Sequence, residues 1–149
     1  MTQDVTTVIN DLIETLKDGE LGFRAAADDV TRNDLKQLFQ KYSSQRAEFA
    51  RTLQKQVERS GEEAEESGSV AGSLHRGWMG LKSSVSSRDD IAILEECERG
   101  EDSVLKAYND ALASEDLGQA RSLVQDQHKE IRAAHDHIRS LRDTTKQNA

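Results

Sequence analysis

Gln45-Arg46-Ala47-Glu48 and Gln127-His128-Lys129-Glu130 decide how this chain folds, because each is the same polar quartet set into an apolar helical stripe. At about 100° of turn per residue, Gln45 falls about 40° from Phe49 on a helical wheel, and Gln127 stands at the same angle to Ile131. Glu48 and Glu130 each precede that apolar residue and lie on the flank of the stripe. Upstream of the quartets stands a second matched pair, Asp18-Gly19-Glu20 and Arg99-Gly100-Glu101. Glu20 sits between Leu16 and Phe23 in helical phase, and Glu101 shares a stripe with Glu98 and Leu105. The sequence therefore holds two versions of one helical hairpin, with a carboxylate on the odd helix and Gln-x-x-Glu on the even one.

The apolar pattern extends outward from these motifs. Val5, Val8, Ile9, Leu12, Leu16, Phe23, Ala26, Ala27 and Val30 follow steps of three and four, the period of a helix with one buried face. Thr31-Arg32-Asn33-Asp34 supplies a turn, with Asn33 or Asp34 suited to cap the next helix. That second helix carries Leu35, Leu38, Phe39, Tyr42, Phe49, Leu53 and Val57 and stops at Ser60-Gly61, where glycine can take a left-handed conformation. Asp89 and Asp90 give the third helix an acidic first turn, and Ile91, Leu94, Leu105, Tyr108 and Leu112 its stripe. After a turn at residues 114–118 the fourth helix carries Ala120, Val124, Ile131, Ala134, Ile138 and Leu141, with a polar tail from Thr144 expected to fray.

Between the hairpins, residues 62–66 read as an exposed acidic linker, and Val70, Leu74, Trp78, Leu81 and Val85 as a short amphipathic helix packed on the bundle. The reading is one all-α domain over residues 1–149. Hairpin one covers 3–60, a long crossover 61–87, and hairpin two 88–143. A crossover of that length lets the chain run along the bundle before the second hairpin begins, which is ferritin-like wiring rather than simple up-down-up-down.

Composition agrees and excludes several functions. The 149 residues include no proline, which suits helices better than a turn-rich sheet protein. A lone cysteine, Cys97, leaves no disulfide framework and reads as a small buried side chain. A net charge of −8 opposes binding to a phosphate backbone, so no nucleic-acid partner is expected. No membrane span is expected either, and the opening Met1-Thr2-Gln3-Asp4 lacks the pattern of a secretory leader, so a cytoplasmic location is. No phosphate loop, nucleophile elbow or zinc spacing occurs, and no catalytic residue is assigned.

The candidate site is polar. Glu20, Gln45, Glu48, Glu101, Gln127 and Glu130 lie at matching distances from the hairpin turns, so all six are candidates to converge at mid-bundle. Carboxylates gathered there would need a cation, protons or donors such as Arg24 and Arg46. A Glu followed on the next helix by Glu-x-x-His, done twice, is the dimetal constellation of ferritin-like proteins. The chain resembles an uncharacterised bacterial ferritin-like family, a domain of unknown function. The resemblance is carried by Gly72-Ser73-Leu74-His75-Arg76-Gly77-Trp78, by Arg99-Gly100-Glu101-Asp102 with Tyr108, and by Ala134-His135-Asp136-His137-Ile138. It implies a four-helix bundle, a homo-oligomer such as a dimer, and iron or manganese held by the six residues in a stress or redox role. Gln-x-x-Glu departs from that pattern by lacking both histidine ligands. The alternative is a metal-free structural or interaction module whose core polar layer fixes helix register. His128 and His135, with Glu98 or Glu101, offer a second ligand set.

Overall fold

The computed structural model describes residues 3–66, 89–114 and 117–148. These form α1 (Gln3–Asp29), α2 (Asn33–Arg59), α3 (Asp90–Ala113), a single 3₁₀ turn (Gly118–Ala120) and α4 (Arg121–Gln147), with no strand among the described residues. The short helix expected at Val70–Val85 lies outside them.

Apolar periodicity drives the assembly. One buried cluster joins Val5, Ile9, Leu12 and Leu16 of α1 to Leu53 and Val57 of α2, Val104 and Tyr108 of α3, and Val124 and Ile131 of α4. A second joins Phe23, Ala26, Leu35, Phe39 and Tyr42 to Ile93, Leu94, Cys97, Ala134 and Ile138. Each large apolar side chain fully buried in this way contributes about 1.5–3 kcal/mol. Between the clusters the core becomes polar at Asp18 of α1, Arg46 of α2 and Glu101 of α3, while Gln127 of α4 lies among the residues of the first cluster.

Hydrogen bonds at the helix ends fix the wiring. The Asp90 carboxylate accepts from the Thr31 amide at 2.8 Å, the Thr31 hydroxyl at 2.8 Å and the Arg32 amide at 3.1 Å. The start of α3 is thus tied to the α1–α2 turn. At the opposite end, Asn10 of α1 bonds residues 63 and 65, just beyond the end of α2. Hence α3 starts where α2 starts, the two run in the same direction, and the connection between them joins opposite ends of the bundle. α4 returns to the first end, where Arg32 bonds Thr145 at 2.8 Å and Lys146 reaches Glu95 at 3.1 Å. α1 packs on both α2 and α3, and α3 on α4.

Two local expectations need correction. α2 is capped neither by Asn33 nor by Asp34; Arg32 stands at the cap, and its guanidinium, which has no acceptor to offer the first-turn amides, binds Asp34 and Thr145 instead. Residues 62–66 are not simply solvated, since Ala64 packs against the first apolar cluster. α4 is helical through Gln147, and Thr145 and Lys146 in its last turn bond Arg32 and Glu95. Elsewhere the expected devices are present: Asp89 accepts from the Ala92 amide, and Gly61 and Gly118 take φ values of 84° and 54° at their turns.

Candidate functional site

The polar layer is built around Arg46. On α2 the buried face runs through Tyr42, Ser43, Arg46, Ala47, Ala50, Leu53 and Val57, so the guanidinium points inward and is wholly shielded from solvent. Gly19 of α1 lies against it: a Cβ there would sit 3.7 Å from the Arg46 Cγ, in ordinary van der Waals contact. One turn on, the Phe23 ring lies beneath the guanidinium, 5.2 Å from centroid to Cζ, a distance at which ring and cation attract. The Arg46 Nε donates to Gln45 Oε1 at 3.2 Å.

Facing Arg46 across the bundle is Glu101 of α3, also wholly buried. Arg46 Nη1 donates to Glu101 Oε1 in a short contact, and Nη2 donates to Oε2 at 2.7 Å. Both carboxylate oxygens and both terminal nitrogens are thus engaged in one planar fork, the geometry that guanidinium and carboxylate share. Taking two such charges out of water costs several kcal/mol per ion, and only close pairing with filled hydrogen bonds offsets it.

The charges colour their surroundings. Burial, with a smaller push from the Glu101 charge, raises the Cys97 thiol well above its usual range, so it stays protonated and unreactive. Burial likewise raises the Tyr108 phenol, and its hydroxyl donates to Gln127 Oε1 at 2.7 Å. Gln127 in turn donates from Nε2 to the Phe49 carbonyl of α2 at 3.3 Å. A chain from α3 through α4 to α2 results. Tyr42, raised by burial and then by Glu101, shares a hydrogen bond of 3.1 Å with His137 Nδ1.

A separate cluster lies on the α3–α4 seam. Arg142 forms a short ion pair with Glu98. The His135 Nε2 lies 2.7 Å from Asp102 Oδ1 and 4.0 Å from Glu98 Oε2, and Nδ1 lies 3.0 Å from Asp136 Oδ1. The Nε2 contact has the distance of an ion pair but not the alignment of a hydrogen bond.

The six candidate residues occupy different places. Glu101 and Gln127 are buried in the layer. Gln45 is half-buried against Arg46. Glu20 is half-buried, with its carboxylate turned along α1 to Arg24 at 3.0 Å and Lys17 at 3.7 Å. Glu48 is exposed and paired with Arg51, whose hydrogen bond holds the carboxyl below its usual range. Glu130 is exposed and lines an open groove between α2 and α4 together with Glu48. Among the described residues, no three His, Cys, Asp or Glu side chains gather where they could hold a metal ion. Arg46 and Arg24, both named from sequence as counter-charges, are indeed paired, with Glu101 and Glu20. The Tyr108–Gln127 bridge escaped sequence reasoning; its signal was a phenol and an amide on facing stripes, both in phase with the core.

Four long helices among the described residues, with α2 ending and α3 starting at opposite ends of the bundle, make a ferritin-like fold. The fold agrees with a crystal structure from Anabaena variabilis, a two-domain protein containing DJ-1/ThiJ/PfpI-like and ferritin-like domains. The TM-score is 0.79 at 14% identity, over 100% of this chain and 39% of that one. None of the curated proteins matches the chain. The family described as Domain of unknown function (DUF2383) matches residues 4–114, and the chain belongs to that family. Among the described residues no helix is long and apolar enough to cross a membrane.

Proposed function

We propose that this chain is a ferritin-like interaction module in which the Arg46 guanidinium fills the mid-bundle position that a metal would take in a ferritin-type centre. The observation that carries the reading is the wholly buried, two-pronged Arg46–Glu101 pair. A dimetal centre needs carboxylate oxygens turned inward and open for coordination. Here the one buried candidate carboxylate, Glu101, spends both oxygens on Arg46, Glu20 turns to Arg24, and Glu48 and Glu130 face solvent. A divalent ion beside Arg46 would meet an immovable positive charge. The donor set therefore does not fit iron or manganese, and the layer serves to tie α2 to α3 and hold the helices in register.

The Anabaena protein joins a ferritin-like domain to a DJ-1/ThiJ/PfpI-like domain in one chain, which supports reading this fold as one part of a larger functional assembly. The test is thermal unfolding with added Mn(II) or, under anaerobic conditions, Fe(II). A specific site would raise Tm in proportion to occupancy, since an ion at 100 times its Kd adds about 2.7 kcal/mol. The expected result is no rise beyond that given by Mg(II). A selective, saturable rise with Mn(II) or Fe(II) would defeat the reading.

A further inference from the structure

Three seams of the bundle are closed by direct packing, α1 on α2, α1 on α3 and α3 on α4, while the fourth, between α2 and α4, stays open. The phase of α2 explains the opening. Its inward face at this height is Arg46, Ala47 and Ala50, so the larger Phe49 is left half-buried at the edge. Leu123 of α4 is half-buried too, and both side chains rest on the first apolar cluster with one side only. Gln127 bridges the seam by donating to the Phe49 carbonyl at 3.3 Å. Phe49, Thr52, Leu123 and Gln127 thus line an open groove of about 330 Å³ running between two helices.

The rim of the groove is acidic. Glu48 stands on the α2 edge, Asp126 and Glu130 stand one turn apart on the α4 edge, and Lys129 is the one cation lining it. Glu48 is paired with Arg51, whereas Asp126 and Glu130 have no ion pair among the described residues. Two like charges one helical turn apart repel, so a cation placed between them is drawn in. The net charge of −8 adds a long-range field of the same sign. A second copy fits poorly, since a two-fold contact through this face would set three further carboxylates against these. The complement of an apolar floor with acidic edges is a large apolar side chain flanked by Lys or Arg, and a helix laid along a two-helix groove offers such anchors at helical spacing.

We infer that the α2–α4 groove is a docking site for a basic amphipathic helix of another protein, with an apolar anchor against Phe49 and Leu123 and cations against Asp126 and Glu130. The inference rests on reading the chain as an interaction module and names the surface that such a module uses. Its failure leaves the Arg46–Glu101 pair in place of a metal, whereas a metal-specific rise in Tm defeats that reading whatever the groove binds.

The probe is a synthetic helical peptide of about five turns, Leu and Trp on one face and Lys and Arg on the other, beside a twin with every Lys and Arg replaced by Glu. Amide NMR spectra of the full chain follow the titration. The basic peptide is expected to shift the amides of Phe49, Thr52, Leu123 and Asp126 to saturation, and the acidic twin to shift none. Phe49→Ala should weaken binding about ten-fold, as loss of a central anchor does. Asp126→Asn with Glu130→Gln should weaken it several-fold and flatten its salt dependence, because screening acts on those charges. No saturable shift at the groove would overturn the inference, as would shifts spread over other faces or equal binding of the twin. The same shifts on concentrating the chain alone would give the groove to a second copy and overturn it as well. Should Phe49→Ala fail to fold, the doubly neutralised variant, altered only at exposed side chains, decides.

Discussion

The two hairpins carry the same motif and use it differently. In the second, the core residue of the quartet is its first, Gln127, and the next residue, His128, is half-exposed and bonds Asn109 at 2.9 Å. In the first, the core residue is the second of the quartet, Arg46, and Gln45 is displaced to the boundary. The buried face of α4 runs through Val124, Gln127, Ile131, Ala134 and Ile138, whereas that of α2 runs through Arg46, Ala50, Leu53 and Val57. Relative to the repeat, α2 is rotated by one residue, about 100°. A repeat of residue types is therefore not a repeat of geometry. The rotation brings a cation inside on α2, where it pairs with Glu101, while the last residues of both quartets, Glu48 and Glu130, are exposed in either phase.

If this contrast is right, the two hairpins should respond unequally to substitution at matched positions. The largest effect is expected at Arg46. Arg46→Met leaves the Glu101 carboxylate buried without its counter-charge and should destabilise by about 3–5 kcal/mol. For a domain of this size that lowers Tm by on the order of 10 °C. Adding Glu101→Leu to Arg46→Met should restore most of the loss, since apolar replacement of a whole buried pair is often neutral or favourable. Urea unfolding of wild type, both single variants and the double variant would measure this. Equal stability of wild type and Arg46→Met would remove the pair from its central place.

A smaller effect is expected at the polar bridge of the second hairpin. Tyr108→Phe keeps the ring but deprives Gln127 Oε1 of its donor, and should cost about 1–3 kcal/mol. Denaturant midpoints at constant slope are the readout. The least effect is expected on the surface. Glu20→Gln, Glu48→Gln and Glu130→Gln should each leave the denaturant midpoint nearly unchanged, since charges at the rim or in solvent contribute little. The sign of any pH response follows from the depressed carboxyl of Glu48: its contribution is present above the unfolded-state value and is lost as pH falls through the lower folded-state value. Because that side chain is exposed, the acid limb of wild type and Glu48→Gln should nearly coincide. A large loss from Glu48→Gln would mean that both hairpins turn their carboxylates inward after all.

The fold was legible because period and spacing carry it. The stripes of α1 and α4, the glycine turns at Gly61 and Gly118, and the length of the connection each follow from local chemistry. The rotation of α2 was not legible from its large apolar residues. Phe49 and Leu38 suggest one face, yet both are only partly buried, while Ala47 and Ala50 lie fully inside. Small residues mark close helix approach, and weighing them equally with Phe49 would have turned Arg46 inward. Long-range ties were harder still. Asp90 reads from sequence as a charge favouring a helix start, but its carboxylate spans to Thr31 and Arg32, a contact that no local pattern announces.

Elemental analysis of the native protein, purified without chelators from cells supplied with iron and manganese, addresses the Arg46 substitution for metal at its root. The expected result is only trace metal, at the level found in a control protein of similar charge. Iron or manganese near one or two equivalents per chain, lost on Glu101→Gln, would contradict it.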